Sequence, residues 1–316
     1  MSYTTGGIIQ ATDYNTFASL SNAVNEVFAD QHPGATTIAG GANYGYGQTP
    51  ALIPVSTGDD VHAAEWADLF SAMRDCATHQ GSTVVPPVPA SGPSIGDTVI
   101  ALNTPSLMSA AVTTLRTNRM NLAGGQTSLI SGTGFANPAS WSTSLTYTFQ
   151  VDFGSWDNAR YFFNTGGSLS ITGVYTPAPT PDEVAWADYF STNFPVNFNW
   201  NTTTPTAGGN DIANPAGFYL SAPYPGLTTS YQSIYQKNVT GGGYYVTNYG
   251  LIEAKLNAAA GTNGRIDFRI TLIDGDTLPV LKAAGRMTYT INRIQSSGVI
   301  AYPGSYTFTS GGFVAV

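Results

Sequence analysis

The spacing of apolar side chains changes once along this chain, near residue 135, and that change restricts the fold more than any other feature of the sequence. Before it, apolar residues recur three and four positions apart, the spacing that lines one face of a helix. Phe17, Leu20, Val24, Val27 and Phe28 follow Thr12, a candidate N-cap, and Asp30-Gln31-His32-Pro33-Gly34 ends the pattern. Trp66, Leu69, Phe70, Met73, Cys76 and Ala77 form a second stripe behind Asp59 and Asp60, whose carboxylates favour a helix N-terminus. Thr104-Pro105 is a cap followed by proline at the first helical position, and Leu107, Met108, Ala111, Val112 and Leu115 carry a third helix.

After it the repeat is two. Tyr147, Phe149, Val151 and Phe153 alternate with Thr148, Gln150 and Asp152, and Ile266, Phe268, Ile270 and Leu272 alternate with Arg265, Asp267, Arg269 and Thr271. Further runs at Leu251 to Leu256, at Met287, Tyr289 and Ile291, and at Tyr306 and Phe308 bring the expected strands to at least seven. The predicted fold class is therefore α+β. A small N-terminal helical region with Gly/Pro-rich connectors, residues 1–135, precedes a mainly antiparallel β-sandwich or jelly-roll-like domain, residues 136–316. WDNARYFFNTGGSLSITG, from Trp156 to Gly173, reads as a β-hairpin turning at Asn164-Thr165-Gly166-Gly167. Asp182 to Phe194 reads as one short helix packing through Val184, Ala185, Trp186 and Tyr189. Asn201 to Thr229, rich in Pro, Gly, Asn and Thr, reads as a long surface loop that needs a partner chain to order it.

Only 9% of the residues are charged, against roughly 25% in an average soluble domain, so Thr, Ser, Asn, Gln and Tyr must cover the surface. Hydrophobic residues reach 42%, which excludes a disordered chain. The charge is uneven: residues 1–155 carry ten acids and three bases, a net −7, whereas residues 156–316 carry nine and eight, a net −1. No lysine precedes Lys237, so no basic stripe exists to neutralise phosphates and a nucleic-acid partner is not expected. No run approaches the roughly 18 apolar residues of a membrane span, so membrane insertion is not expected either. The opening MSYTTGGIIQATDYN has neither the charged nor the long apolar region of a secretory leader, which predicts a protein that stays in the cell making it or leaves by another route, such as lysis. Cys76 is the one cysteine, so no intrachain disulfide forms.

Catalytic constellations are missing from the pattern. There is no GxxxxGK[ST] phosphate loop and no GxSxG elbow, and His32, His62 and His79 are the only histidines. His62 and Glu65 share a helix face, but a zinc site takes at least three protein ligands, so the pair reads as exposed polar surface. Asp274-Gly275-Asp276 lacks the spacing of a calcium loop and reads as a hairpin turn. Cys76 lies on an apolar stripe, where a thiol is a small hydrophobe. No catalytic residue, metal site or cofactor is assigned. A hydrolase of surface polysaccharide remains a distinct class, because its paired carboxylates are defined by distance in space.

Aromatic residues set among small ones are the remaining feature. Tyr44 and Tyr46 in NYGYGQ, and Tyr244, Tyr245 and Tyr249 in GGGYYVTNY, offer rigid amphipathic area on an adaptable backbone, and Phe313 opens the apolar terminus FVAV. These six are candidate contacts with another subunit or with a glycan; the competing reading is that the rings cap sheet ends and pack internally.

GIIQATDYNTF, NYGYGQT, VHAAEWADLF followed by THQG, TNRMN, ARYFFNTGGSLSI and YYVTNYGLIEAKLNA, in that order, resemble virion structural proteins of tailed bacteriophages, in particular those of myoviruses including cyanophages. ARYFFNTGG is the most specific part and YGYGQ the next, while Pro195 to Thr229 matches nothing in that family. The resemblance covers most of the chain and implies a tail, baseplate, neck or fibre-associated part, made in the host cytoplasm and residing in the virion. Its implied partners are other virion proteins and further copies of itself, and it carries no catalytic residue across. The alternative is a carbohydrate-binding adhesin on a phage or cell surface, in which Tyr244, Tyr245 or Tyr249 stacks on the sugar of a host-surface glycan.

Overall fold

A computed structural model describes residues 11–18, 24–29, 45–49, 52–82, 105–122, 126–130, 135–136, 141–177, 181–219, 225–240, 247–275 and 285–316. The fold is α+β, and the chain divides into two compact units. The first comprises residues 1–126 with two returning segments, 164–166 and 296–303; the second comprises 127–163, 167–295 and 304–316.

The first unit holds α1 (Ala11–Ala18), α2 (Val24–Phe28), α3 (Ala63–Gln80) and α4 (Pro105–Thr117). The helical spacing places its apolar stripes as expected: Trp66, Leu69, Phe70, Met73, Cys76 and Ala77 of α3 are buried with Phe17, Val24 and Val27, and with Met108, Val112 and Leu115 of α4. Thr12 lies inside α1 instead of capping it, and its carbonyl accepts the Thr16 hydroxyl at 2.8 Å. α3 starts four residues after Asp59, at Ala63; the Glu65 carboxylate accepts the His62 backbone N–H and so satisfies one donor of the first turn. Gly81 ends α3 at φ 64°, a left-handed conformation that lets the Ser82 N–H reach the Ala77 carbonyl at 2.9 Å. Two polar groups organise this core. Asn25 donates to the Ala18 and Leu52 carbonyls and accepts from the Leu52 N–H, and Glu26 meets Arg116 at 3.0 Å.

The second unit is a sandwich of two sheets. One has the order β1 (Gln126–Ile130), β10 (Arg286–Ser296), β4 (Ser168–Thr176), β5 (Val196–Phe198), β6 (Thr203–Pro205), with β2 (Phe135–Ala136) also on β10. The other runs β11 (Thr307–Ala315), β3 (Ser144–Asp152), β9 (Arg265–Ile273), β8 (Tyr249–Leu256), β7 (Gln232–Asn238). In β3 and β8 every second residue is buried, as alternation demands when one face meets the opposing sheet. The sheets interlock through rings: Tyr147 of β3 stacks on Tyr289 of β10 at 5.4 Å, and Phe198 of β5 meets Phe268 of β9 edge-on at 5.4 Å.

Three expectations change here. Trp156–Asn164 is a helix, α5, and not the first arm of a hairpin. Ser155 accepts the Asn158 N–H at 3.1 Å as a cap, and Ala159, Phe162 and Phe163, spaced as on one helix face, are fully buried. The Asn164–Gly167 turn stops that helix: Gly166 has φ 85° and the Gly167 N–H returns to Phe162 O at 2.9 Å, after which β4 begins. The short helix α6 (Pro181–Asn193) forms where expected and buries Trp186, Tyr189 and Phe190, but Val184 points outward. Residues 201–219 and 225–229 are ordered by the chain itself, with β6 in the sheet, Ala216 and Phe218 buried and Phe218 stacked on Phe163 at 4.6 Å. VVPPVPASGPSIGD, residues 84–97, which reads as an extended connector between the second and third helices, lies outside the described residues.

Candidate interaction surfaces

Tyr46 belongs to the interior of the first unit. Its hydroxyl donates to the Arg119 carbonyl at 2.7 Å and accepts from Gln80 Nε2 at 3.0 Å, and its ring meets His79 edge-on at 4.9 Å. Ring and hydroxyl are thus engaged within the unit. Tyr249, at the start of β8, is half-buried, opposite Asn238 and Ile273. Phe313 is half-buried on β11 and lies 4.7 Å from the Tyr147 ring. Tyr44, Tyr244 and Tyr245 lie outside the described residues.

His79 is 2% exposed and neither ring nitrogen has a hydrogen-bond partner among the described residues, and burial pulls its pKa down to about 4. Because the folded value lies below the unfolded 6.5, the unfolded chain takes up the proton first. Stability of the first unit is therefore full above pH 6.5, falls between 6.5 and about 4, and levels off below. At 1.36 kcal/mol per pH unit the loss is about 3 kcal/mol. His79→Phe is expected to remove this share of the acid sensitivity, read as the difference between the two proteins in hydrogen exchange of α3 amides at pH 7 and pH 4.5. Equal pH profiles would contradict it.

Among the described residues, no group of three or more His, Cys, Asp and Glu could hold a metal. Glu65 is engaged with the His62 backbone, Asp274 donates its N–H to Thr143 O at 3.0 Å, and Asp276 lies outside the described residues. Cys76 is fully buried, and burial followed by the neighbouring Asp75 pushes its thiol pKa up, away from nucleophile chemistry.

Three surfaces remain. The first is the outer edge of β11, where Thr307–Ala315 carries no charge and no proline. Val316 fastens the terminus: its carbonyl accepts the N–H of Ser142, Thr143 and Ser144 at 3.1, 2.8 and 3.2 Å, and its own N–H returns to Ser144 O at 2.9 Å. The backbone is held while the side chains of Val314 and Val316 stay 61% and 66% exposed. Among the described residues no strand pairs with this edge.

The second surface is the charged end of the β8–β9 face. The Arg269 guanidinium lies 4.4 Å and Lys255 Nζ 4.8 Å from the Tyr231 ring centre, while Arg269 pairs with Glu253 at 2.6 Å and Arg265 with Asp267 at 2.8 Å. Burial raises the Tyr231 pKa, with Asp267 adding to it and Arg269 opposing.

The third is a groove of about 1030 Å³ in the first unit, lined by Tyr14, Phe28, Thr49, residues 52–56, 58–60 and 62, and one face of α3. The acidity of this half is legible in the sequence, whereas the groove is not. The signal available was the spacing of Glu65, Asp68 and Asp75, which brings three carboxylates to one side of α3. Comparison of the chain with protein-family models, with curated proteins and with solved structures found no match.

Proposed function

We propose that the protein is a non-enzymatic structural component of a tailed-phage virion, in the tail, baseplate or neck or associated with a fibre, assembling through protein–protein contacts that include further copies of itself. The observation that carries this reading is the β11 edge. Soluble monomers blunt such edges with lysine, proline or irregularity, and here only the bulge between Ser310 and Gly312 is of that kind. An uncharged strand with two exposed valines at its end gains most by pairing with a copy of itself, because an isologous contact offers the same side chains from both partners. A surface with few charges also lowers the desolvation cost of dense lateral packing. Among the described residues no helix is long and apolar enough to cross a membrane, which suits a particle-bound protein.

Light scattering after size exclusion is expected to give an oligomer that Val314→Lys with Val316→Lys converts to monomers, and mass spectrometry of purified particles is expected to find the chain. A wild-type monomer that is absent from particles overturns the reading. The adhesin alternative draws support from Tyr231 among Arg269, Lys255 and Glu253, since an aromatic ring beside paired charges is chemistry that sugars use. Glycan-array binding abolished by Tyr231→Ala or Tyr249→Ala would favour it over self-assembly alone.

A further inference from the structure

We infer that the groove of the first unit is a docking site for a cationic, amphipathic segment of a partner protein. Its floor is apolar: Tyr14, Leu52 and Ala72 are buried there, and Ile53 on the lip is 74% exposed, the most exposed large hydrophobic residue among those described. Its walls carry Asp59, Asp60, Glu65, Asp68 and Asp75, and among the described residues no lysine or arginine lines it. Asp59, Asp60 and Asp68 are exposed and, among the described residues, lack the ion pairs that occupy the carboxylates of the β8–β9 face. The Tyr14 hydroxyl registers the same field, its pKa being pushed up to about 12 by burial and then by Glu65 and Asp68.

These features select the occupant. A neutral apolar segment would leave five carboxylates facing low-dielectric surface, and an acidic one would be repelled; lysines or arginines flanking leucine-like anchors satisfy both walls and floor. The volume lies just above the roughly 300–1,000 Å³ typical of small-molecule pockets, which suits a stretch of several residues better than a single small ligand. This inference is independent of the virion reading, because it concerns the charge and shape of the first unit alone.

The test uses the full chain and a fluorescent peptide of about 15 residues built from Lys and Leu at helical spacing, with a Glu/Leu peptide as counterpart. Fluorescence anisotropy is expected to show binding of the Lys/Leu peptide only, weakening about tenfold between 50 and 200 mM salt. The combined variant Asp59→Asn, Asp60→Asn, Asp68→Asn is expected to bind at least about tenfold more weakly, as is Ile53→Ser, whereas Asp188→Asn, an exposed acid of the second unit, binds as wild type. Hydrogen exchange is expected to slow at residues 52–75 when peptide is bound. Absence of binding, equal binding of both peptides, equal binding by the groove variants, or protection of 52–75 by spermidine or calcium but not by the peptide would each overturn the inference.

Discussion

Phe149→Ala is expected to cost the sandwich about 3–5 kcal/mol, a large part of the 5–15 kcal/mol that holds a typical domain folded. Phe149 is 0% exposed in the middle of β3. Its ring stacks on Phe268 of the neighbouring β9 at 4.7 Å with an interplanar angle of 4°, on Phe308 of β11 at 5.6 Å and on Tyr147 at 5.9 Å. Truncation removes the transfer free energy of the ring and leaves a cavity whose walls are strands on both sides, locked in register from Ser144↔Ile273 to Asp152↔Arg265, so they cannot collapse into it. Phe149→Leu, which keeps most of the volume, is expected to lose less than half as much. Urea unfolding followed by near-ultraviolet circular dichroism measures both, and an alanine variant within about 1 kcal/mol of wild type would mean the ring stack is not the centre of the core.

Gly217→Ala is expected to cost about 2–3 kcal/mol and to loosen residues 199–219 and 225–227 selectively. A Cβ at this position would lie 2.2 Å from the carbonyl carbon of Asn201 and 2.4 Å from the Thr202 nitrogen, both backbone atoms. They have little room to yield. Asn199 Oδ1 accepts the N–H groups of Asn201 and Thr202 at 3.1 and 3.0 Å, and the Phe218 N–H donates to the Asn199 carbonyl at 3.0 Å. Gly217 itself donates to Pro225 O and accepts from the Leu227 N–H, each at 3.1 Å, so moving it breaks the tie that closes the loop and shifts Phe218 from its seat against Phe163 and Trp156. Faster exchange at the Phe218 and Leu227 amides is the expected signature. Gly298→Ala, where the nearest atom is Ser296 Oγ at 3.6 Å, serves as the neutral control; equal stability of the two variants would show that the loop has slack.

α3, α4, β3, β8 and β9 were legible in the sequence because each carries its own periodicity over two or more turns or four or more alternations. α5 is ambiguous in the sequence for a definable reason. In ARYFFN, Tyr161-Phe162-Phe163 offers apolar residues to both periods, and only the burial of Ala159, Phe162 and Phe163 on one side, with Ser155 as cap, decides for the helix. The sequence marks α6 as a helix but not its buried face, so it does not show that Val184 faces outward; that face is set by Tyr175 and Tyr289 against Phe190. The loop after Asn201 looked dependent on a partner because its ordering contacts are non-local: Asn210 reaches Ile234 O and the Gln236 N–H, and Asp211 meets Lys237 at 2.7 Å.

For the candidate surfaces, chemistry was readable and place was not. The acidity of the first half, the absence of phosphate loops and the apolar terminus are properties of composition and order along the chain, so the sequence alone determined them. That Tyr46 is spent on Arg119 and Gln80, that the carboxylates of α3 face a groove with Ile53 on its lip, and that β11 forms an edge with Val314 exposed are consequences of packing between residues tens to hundreds of positions apart. A short-range pattern constrains which side of an element is apolar; only the tertiary structure decides which neighbour covers it.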